Sequence, residues 1–410
     1  VRGAVINIVL KRSNDYSFQG EVNADYTNQY FNGGGANGNF RFSTPKMAID
    51  VMYGANDVKK MEYMDLYSRH TLKNQIYDIR QNEQLRMKYW NHNLRTAFEY
   101  NLDDEDHFNL AYTSSFTPEQ HSNSLTSGNY QASNVDKYVE TRMHNVTLQY
   151  HSGSGFDVGG DYTHYTSDNN QTLFADYADG AQSGFSIIGG QKIDRYSIYV
   201  DRKRSLAKEW DLGYGMSYRF AKDRDFQTYD KVTGDIPTEN TDSRLREQTA
   251  NVYVSLSKNY ATGEYYTIGN YRKWAVYPQA SLTYVKSSEH LFQFSLSTDK
   301  TYPGYWDMQS SVSHLNGYTE LWGTPGLKPS TAYNLNGNYI WKQKYIFGLF
   351  FMHTSDFFVQ TGYQSTDRLA LIYKNTNWNY MQMWGTNVIL PFKAGNWLDS
   401  RLTLVGMQVH

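Results

Sequence analysis

The chain has 410 residues, with 39 Lys plus Arg against 41 Asp plus Glu and a formal charge of −2; no basic arm or patch marks a nucleic-acid binder. It contains no cysteine, which excludes a disulfide scaffold and a thiolate metal site. The aromatic residues favour rings with a polar tip (37 Tyr against 20 Phe), and mean hydropathy is negative, so a bundle of membrane-spanning helices is excluded too.

From Ala4 to Leu10 the chain is almost continuously apolar, with only Asn7 polar, which predicts a strand buried on both faces. From Tyr16 the pattern changes to alternation. Tyr16, Phe18, Val22 and Tyr26 alternate with Ser17, Gln19, Glu21 and Asp25, and Trp90, Leu94 and Phe98 with Asn91, Arg95 and Glu99. Val146, Leu148 and Tyr150 continue the pattern against Asn145, Thr147 and Gln149. The clearest segment is Trp210–Phe220. Leu212, Tyr214, Met216 and Tyr218 project to one side of an extended strand; Asp211, Gly213, Gly215, Ser217 and Arg219 project to the other. Val252, Val254, Tyr333 and Leu335 carry the same code further. The longest near-apolar run, Tyr345–Met352, is far below the roughly 20 residues of a spanning helix. An apolar or aromatic residue at every second position over the whole chain predicts an all-β fold, a transmembrane antiparallel β-barrel with lipid outside and a polar lumen.

Short polar turns fall at 44–46, 103–106, 152–155, 205–209, 287–289, 342–344 and 394–396. Long polar connections fall near 57–83, 117–137, 167–191, 222–243, 301–330 and 362–368, and the cluster Gly33-Gly34-Gly35 reads as a flexible loop tip. Alternation of short and long connections suits an up-and-down barrel of about seventeen strands, with tight periplasmic turns and extended outer loops. The chain starts without Met or signal peptide and stops within an alternating segment, so truncation at both ends is expected.

Gly3-Ala4-Val5-Ile6-Asn7-Ile8, followed by Lys11-Arg12, resembles the segment that closes the plug domain of TonB-dependent outer-membrane receptors. Thr301–Trp306 and Gly323–Pro329 resemble a paired Pro-containing motif in a Bacteroidetes-type branch of that superfamily; Tyr302, Thr324 and Ser330 stand where the branch carries Arg, Asn and Glu. The resemblance implies that residues 1–13 end a plug, with Gly3, Ile6, Asn7 and Ile8 in its last strand. Residues 14–410 would then be most of a barrel of about 22 strands. It also implies active import across the outer membrane of a Gram-negative bacterium. The ligand would be a siderophore, haem, cobalamin, an oligosaccharide or a peptide. A TonB-type inner-membrane motor would act through an upstream coupling box, and a surface lipoprotein is a further candidate partner. The alternative is a passive porin or a surface interaction barrel without energy coupling.

Candidate chemistry is sparse. The eleven His show no metal-ligand spacing, no nucleophile–base arrangement is recognisable, and no cofactor is expected, so the chain reads as a non-enzyme. Arg95, Glu99, Asp161, Asp201, Asp211 and Arg219 share the lumen-facing phase, where they either line a path or plug-docking surface or pair across neighbouring strands. Tyr302, Tyr305, Trp306, Tyr318 and Trp322 lie on the connection 301–330. They either stack on a ligand or build the loop's own core and the upper aromatic girdle.

Overall fold

The computed structural model describes residues 16–28, 30–103, 105–206, 210–234, 239–256, 259–395 and 397–410. The segment around Gly3, Ile6, Asn7 and Ile8 lies outside the described residues. The first nine strands are β1 (Ser17–Asn28), β2 (Asn32–Ser43), β3 (Met47–Leu72), β4 (Gln75–Asn101), β5 (His107–Gly128), β6 (Gln131–His151), β7 (Phe156–Tyr177), β8 (Gln182–Ser205) and β9 (Asp211–Thr233). They are followed by β10 (Thr241–Leu256), β11 (Asn259–Ile268), β12 (Tyr271–Ser287) and β13 (His290–Thr301). The remainder are β14 (Val312–His314), β15 (Thr319–Trp322), β16 (Ser330–Trp341), β17 (Tyr345–Ser355), β18 (Phe358–Gln364), β19 (Leu371–Asn377), β20 (Tyr380–Ala394) and β21 (Leu398–Val409).

One 17-stranded sheet holds β1 to β13, β16, β17, β20 and β21. Each of its members pairs antiparallel with the next in chain order. The other four strands form a small sheet in the order β14-β15-β19-β18, in which β15 and β19 run parallel. The fold is a transmembrane β-barrel wall, as the alternation predicts.

The short turns at 44–46, 152–155, 287–289 and 342–344 fall where the sequence places them, but the long connections differ. Most are strand. β3 has 26 residues and β4 has 27, and only Lys73 and Asn74 join them, both at positive φ (48° and 65°). Two consecutive left-handed residues make the hairpin turn whose twist matches its strands. About 9–11 residues of strand suffice to cross the hydrocarbon, so the rest of each hairpin stands clear of the membrane. Polar composition does not prevent pairing here, because the inward phase of these extensions is covered by other parts of the chain. Gly33-Gly34-Gly35 is also strand, in β2 against β1, and not a loop tip. A Cβ on Gly34 would lie 2.4 Å from the Asp25 carbonyl oxygen, so close approach of the two backbones calls for glycine there.

The two faces of β9 show how the wall is built. Tyr214, Met216 and Tyr218 are exposed and level with Ile198 of β8 and Val252 of β10, whereas Gly213 is buried and Asp211, Ser217 and Arg219 are half-buried. The outward row is apolar from Leu212 to Phe220 and then turns charged at Lys222 and Arg224. That nine-residue stretch matches the length of a spanning strand. Most of the buried apolar residues lie in three clusters, around Phe185 and Leu173, around Tyr266 and Met308, and around Ile79 and Tyr318.

Candidate functional site

Beyond the lipid band, the inward phase of the strands carries amides, small hydroxyls and buried carboxylates, and a folded element lies on it. The connection 302–329 does not hang outside the barrel. With the connection 356–379 it builds the small sheet, and these connections are bonded to the inner side of several wall strands. On β9, the Gln227 side chain pairs with one residue of the loop as a strand would: its Nε2 donates to the Val312 carbonyl (2.9 Å) and its Oε1 accepts from the Val312 N–H (2.7 Å). Asp225 accepts the Ser310 N–H at 3.1 Å. On β8, Gln191 accepts the Gln309 amide at 2.7 Å and donates to Asp223 at 3.1 Å. On β7, Gln171 bonds both the carbonyl and the N–H of His314. On β3, Ser68 and His70 meet the Tyr318 hydroxyl at 2.9 and 3.2 Å, while His70 Nε2 donates to the Ser365 carbonyl at 2.9 Å.

The two connections also hold each other. Thr319 to Trp322 run parallel to Leu371 to Lys374, the Thr324 hydroxyl donates to the Asn375 carbonyl (2.7 Å), and Asn377 brackets the Lys328 backbone at 2.8 and 3.0 Å. Arg368 places one guanidinium nitrogen 2.7 Å from both oxygens of the buried Glu320 carboxylate. His314 stands beside this pair, buried, with its Nε2 3.0 Å from the Tyr229 hydroxyl. Burial disfavours the imidazolium and pulls the His314 pKa down to about 4. On the wall opposite, burial pushes the Asp223 carboxyl up to about 7, and Asp225 is raised for the same reason.

The aromatic residues of the loop divide. Tyr318 is 1% exposed and packs with Ile79 and Leu371. Tyr302 donates its hydroxyl to Glu264 and Tyr305 donates to Glu247 (2.6 Å), both half-buried against Tyr266 and Met308. Lys300 closes an ion pair with Glu264 and lies 4.5 and 4.8 Å from the ring centroids of Tyr266 and Tyr302. Trp306 and Trp322 are the exposed members of the five. Trp306 has the Lys137 ammonium 5.9 Å from its ring centroid, and the Trp322 indole N–H donates to Glu320 at 2.8 Å.

Below the small sheet lies a polar cavity of about 850 Å³, lined among others by Asp201, Arg219, Tyr253, Glu264, Lys300 and Tyr302. Of the other residues in the inward phase, Asp161 approaches Arg195 (3.7 Å), Glu99 approaches Arg41 (3.8 Å) and Asp211 pairs with Lys203 (3.2 Å). Arg95 sits across from Met52 and Thr113. Asp201 fits against the bare backbone of Gly215, where a Cβ would stand 2.1 Å from its Oδ1. The amides Gln171, Gln191 and Gln227 and the carboxylates Asp223, Glu247 and Glu264 escape a sequence reading that looks for charge or motif. Their one sequence signal is that inward-phase residues of the extensions include Val135, Leu173, Phe185 and Ile187, which would be out of place facing an open lumen.

Residues 149–409 match the model of a family described as the outer membrane protein beta-barrel family. No curated protein matches the sequence. The fold is similar to that of the siderophore receptor PirA from Pseudomonas aeruginosa, with TM-score 0.51 and 11% identity over 97% of this chain and 67% of that one. It is similar to the Serratia marcescens hemophore receptor HasR, solved with its hemophore and heme (TM-score 0.52, 10% identity, 97% and 64%). It is also similar to the ferripyoverdine receptor of the Pseudomonas aeruginosa outer membrane (TM-score 0.51, 11% identity, 97% and 56%). The chain thus spans about two thirds or less of the length of these receptors.

Proposed function

The chain belongs to the outer membrane protein beta-barrel family and lies in the outer membrane, and we propose that it is an active-transport receptor that imports a scarce or bulky nutrient. The observation that carries this reading is the chain of residues 302–329 and 356–379 bonded to the inner side of β3 and of β6 to β11. A passive pore needs a clear path, and here the outer end of the lumen is filled by ordered, hydrogen-bonded chain. Passage of a large solute through such a wall requires a displaceable element and a source of work, which a TonB-type motor pulling a plug domain supplies. In this reading residues 1–13 end the plug, and the cavity lined by Asp201, Arg219 and Lys300 lies on the route. Trp306 and Trp322, the exposed aromatics of the loop sheet, offer rigid area to an incoming ring or sugar. Binding favours a barrel state in which the loop sheet and plug are released, and a ligand shifts that equilibrium only by its differential affinity for the two states.

The test is uptake in cells carrying the full-length protein, with labelled ferric siderophores, haemin and cobalamin as probes. Uptake should stop when the proton-motive force is dissipated and fall when Trp306 and Trp322 are both replaced by Ala at unchanged barrel abundance. Uptake that persists without the proton-motive force would make the protein a passive channel. Uptake that ignores both tryptophans would move the ligand contact to other outer segments.

A further inference from the structure

Immediately beyond the apolar band of β8, β9 and β10, the outer wall carries a grid of charge that the barrel itself does not neutralise. Lys192, Arg224 and Arg244 stand directly across from one another on the three strands, and all three are exposed. One step nearer the membrane, Lys222 and Arg246 stand opposite each other beside Asp194. Like charges directly opposite on neighbouring strands are destabilising. Asp242 relieves only part of this, at 2.8 Å from Arg224 and 3.9 Å from Arg244. Asp194 is occupied by the Tyr162 hydroxyl and by His164, each at 2.8 Å. Among the described residues, Lys192, Lys222 and Arg246 form no ion pair.

The rows below the grid fix its height. Phe220 and Tyr196 lie directly beneath Lys222 and Asp194, with Tyr218 and Ile198, then Met216, Val200 and Val252, under them. Those side chains are the lipid-facing surface, so the cations sit where acyl chains end and headgroups begin, on the side of the long hairpins. Adjacent rows on a strand face are about 7 Å apart, and opposed residues about 5 Å apart. Several cations therefore lie within reach of one headgroup that carries more than one phosphate.

We propose that this face of β8–β10 is a binding site for a phosphorylated glycolipid of the outer leaflet, its phosphates held by Lys192, Lys222, Arg224, Arg244 and Arg246 and its acyl chains lying on Ile198, Met216 and Val252. Multivalent phosphate supplies the counter-charge that the opposed cations lack, and the apolar rows below supply the surface for the chains. The site lies on the outside of the wall and is independent of what passes through the lumen.

The experiment is native mass spectrometry of the purified full-length protein titrated with lipid A bearing two phosphates, with lipid A stripped of both, and with phosphatidylglycerol. Bisphosphorylated lipid A should bind at least tenfold more tightly than the stripped form. The combined variant Lys192→Gln, Lys222→Gln and Arg246→Gln should lose at least tenfold of that affinity, with its melting temperature showing an intact barrel. A control pair on the other rim, Lys203→Gln with Arg204→Gln, should bind like wild type. Equal binding of the phosphorylated and stripped lipids would overturn the proposal, as would unaltered binding by the triple variant. Binding of phosphatidylglycerol as tight as that of lipid A would also overturn the glycolipid assignment, leaving a general anionic belt.

Discussion

Tyr318 pins the loop sheet to the far wall of the barrel, and its replacement by Ala tests whether that sheet is a separate unit of stability. The ring is 1% exposed, lies against Ile79 and Leu371, meets Tyr130 edge-on at 5.9 Å, and satisfies Ser68 and His70 through its hydroxyl. Truncating a buried aromatic of this size costs about 3–5 kcal/mol. None of these interactions belongs to the hydrogen-bonded ladder of the large sheet, so the cost falls on docking of the connection and not on the wall. At about 1.4 kcal/mol per tenfold, amide exchange across 302–329 should accelerate between about a hundredfold and a few thousandfold, while amides of β5 to β9 near the lipid band keep their rates. Tyr318→Phe keeps the ring and loses only the hydroxyl, so it should cost about 1–2 kcal/mol and accelerate exchange roughly tenfold. Hydrogen–deuterium exchange of the purified protein reads both. If Tyr318→Ala left the exchange of 302–329 unchanged, or sped exchange uniformly through the barrel, the inference of a separately docked sheet would be refuted.

Three other outcomes follow from the same geometry. Tyr214→Arg places a cation in the lipid-facing row and should destabilise the folded barrel by about 2–4 kcal/mol in a vesicle-refolding titration. Arg368→Gln leaves the Glu320 carboxylate buried without its cation and should loosen the loop sheet by about 3–5 kcal/mol, read as protease cleavage within 302–329. The pH dependence of docking has two opposing parts. Asp223, raised from 3.8 to about 7, contributes stability that is present at low pH and lost as pH rises through 7. His314, lowered from 6.5 to about 4, contributes stability that is present above 6.5 and lost as pH falls through 4. Asp223→Asn combined with Asp225→Asn, whose carboxyl is raised by burial as well, should therefore make loop protection fall on acidification from 6.5 to 4, and His314→Gln should make it rise. Exchange rates of 302–329 across that range check the sign of each.

The wall was legible because lipid enforces a rule on every second residue: Tyr214, Met216 and Tyr218 must be apolar for the same reason Ile198 and Val252 must be. The turns were legible because each interrupts that rule. Outside the bilayer the rule lapses, and segments such as 57–83, polar on both faces, read as loops although they are paired from end to end. The loop sheet was less legible still. Its partners lie on strands far away in the chain (85 residues for Gln227 and Val312, 143 for Gln171 and His314), and they act through neutral amides, which carry no motif and match ordinary surface residues in composition. Tyr305 and Trp306 are neighbours in sequence, yet one is bound to Glu247 inside the wall and the other faces out. Only the backbone of the 3-10 turn they enter decides which goes where.

The span of the Tyr318 contacts has a consequence for assembly. Each hairpin of the wall pairs residues close in the chain, so β3 to β11 can zip in order with little loop-closure entropy at each step. Ser68 and Tyr318 are 250 residues apart, and His70 and Ser365 are 295 apart, so neither contact can form until the intervening strands have curved the wall around to meet them. Docking of the connection thus follows the pairing of the strands between these residues. Protease access to 302–329 would therefore report how many molecules have completed their curvature.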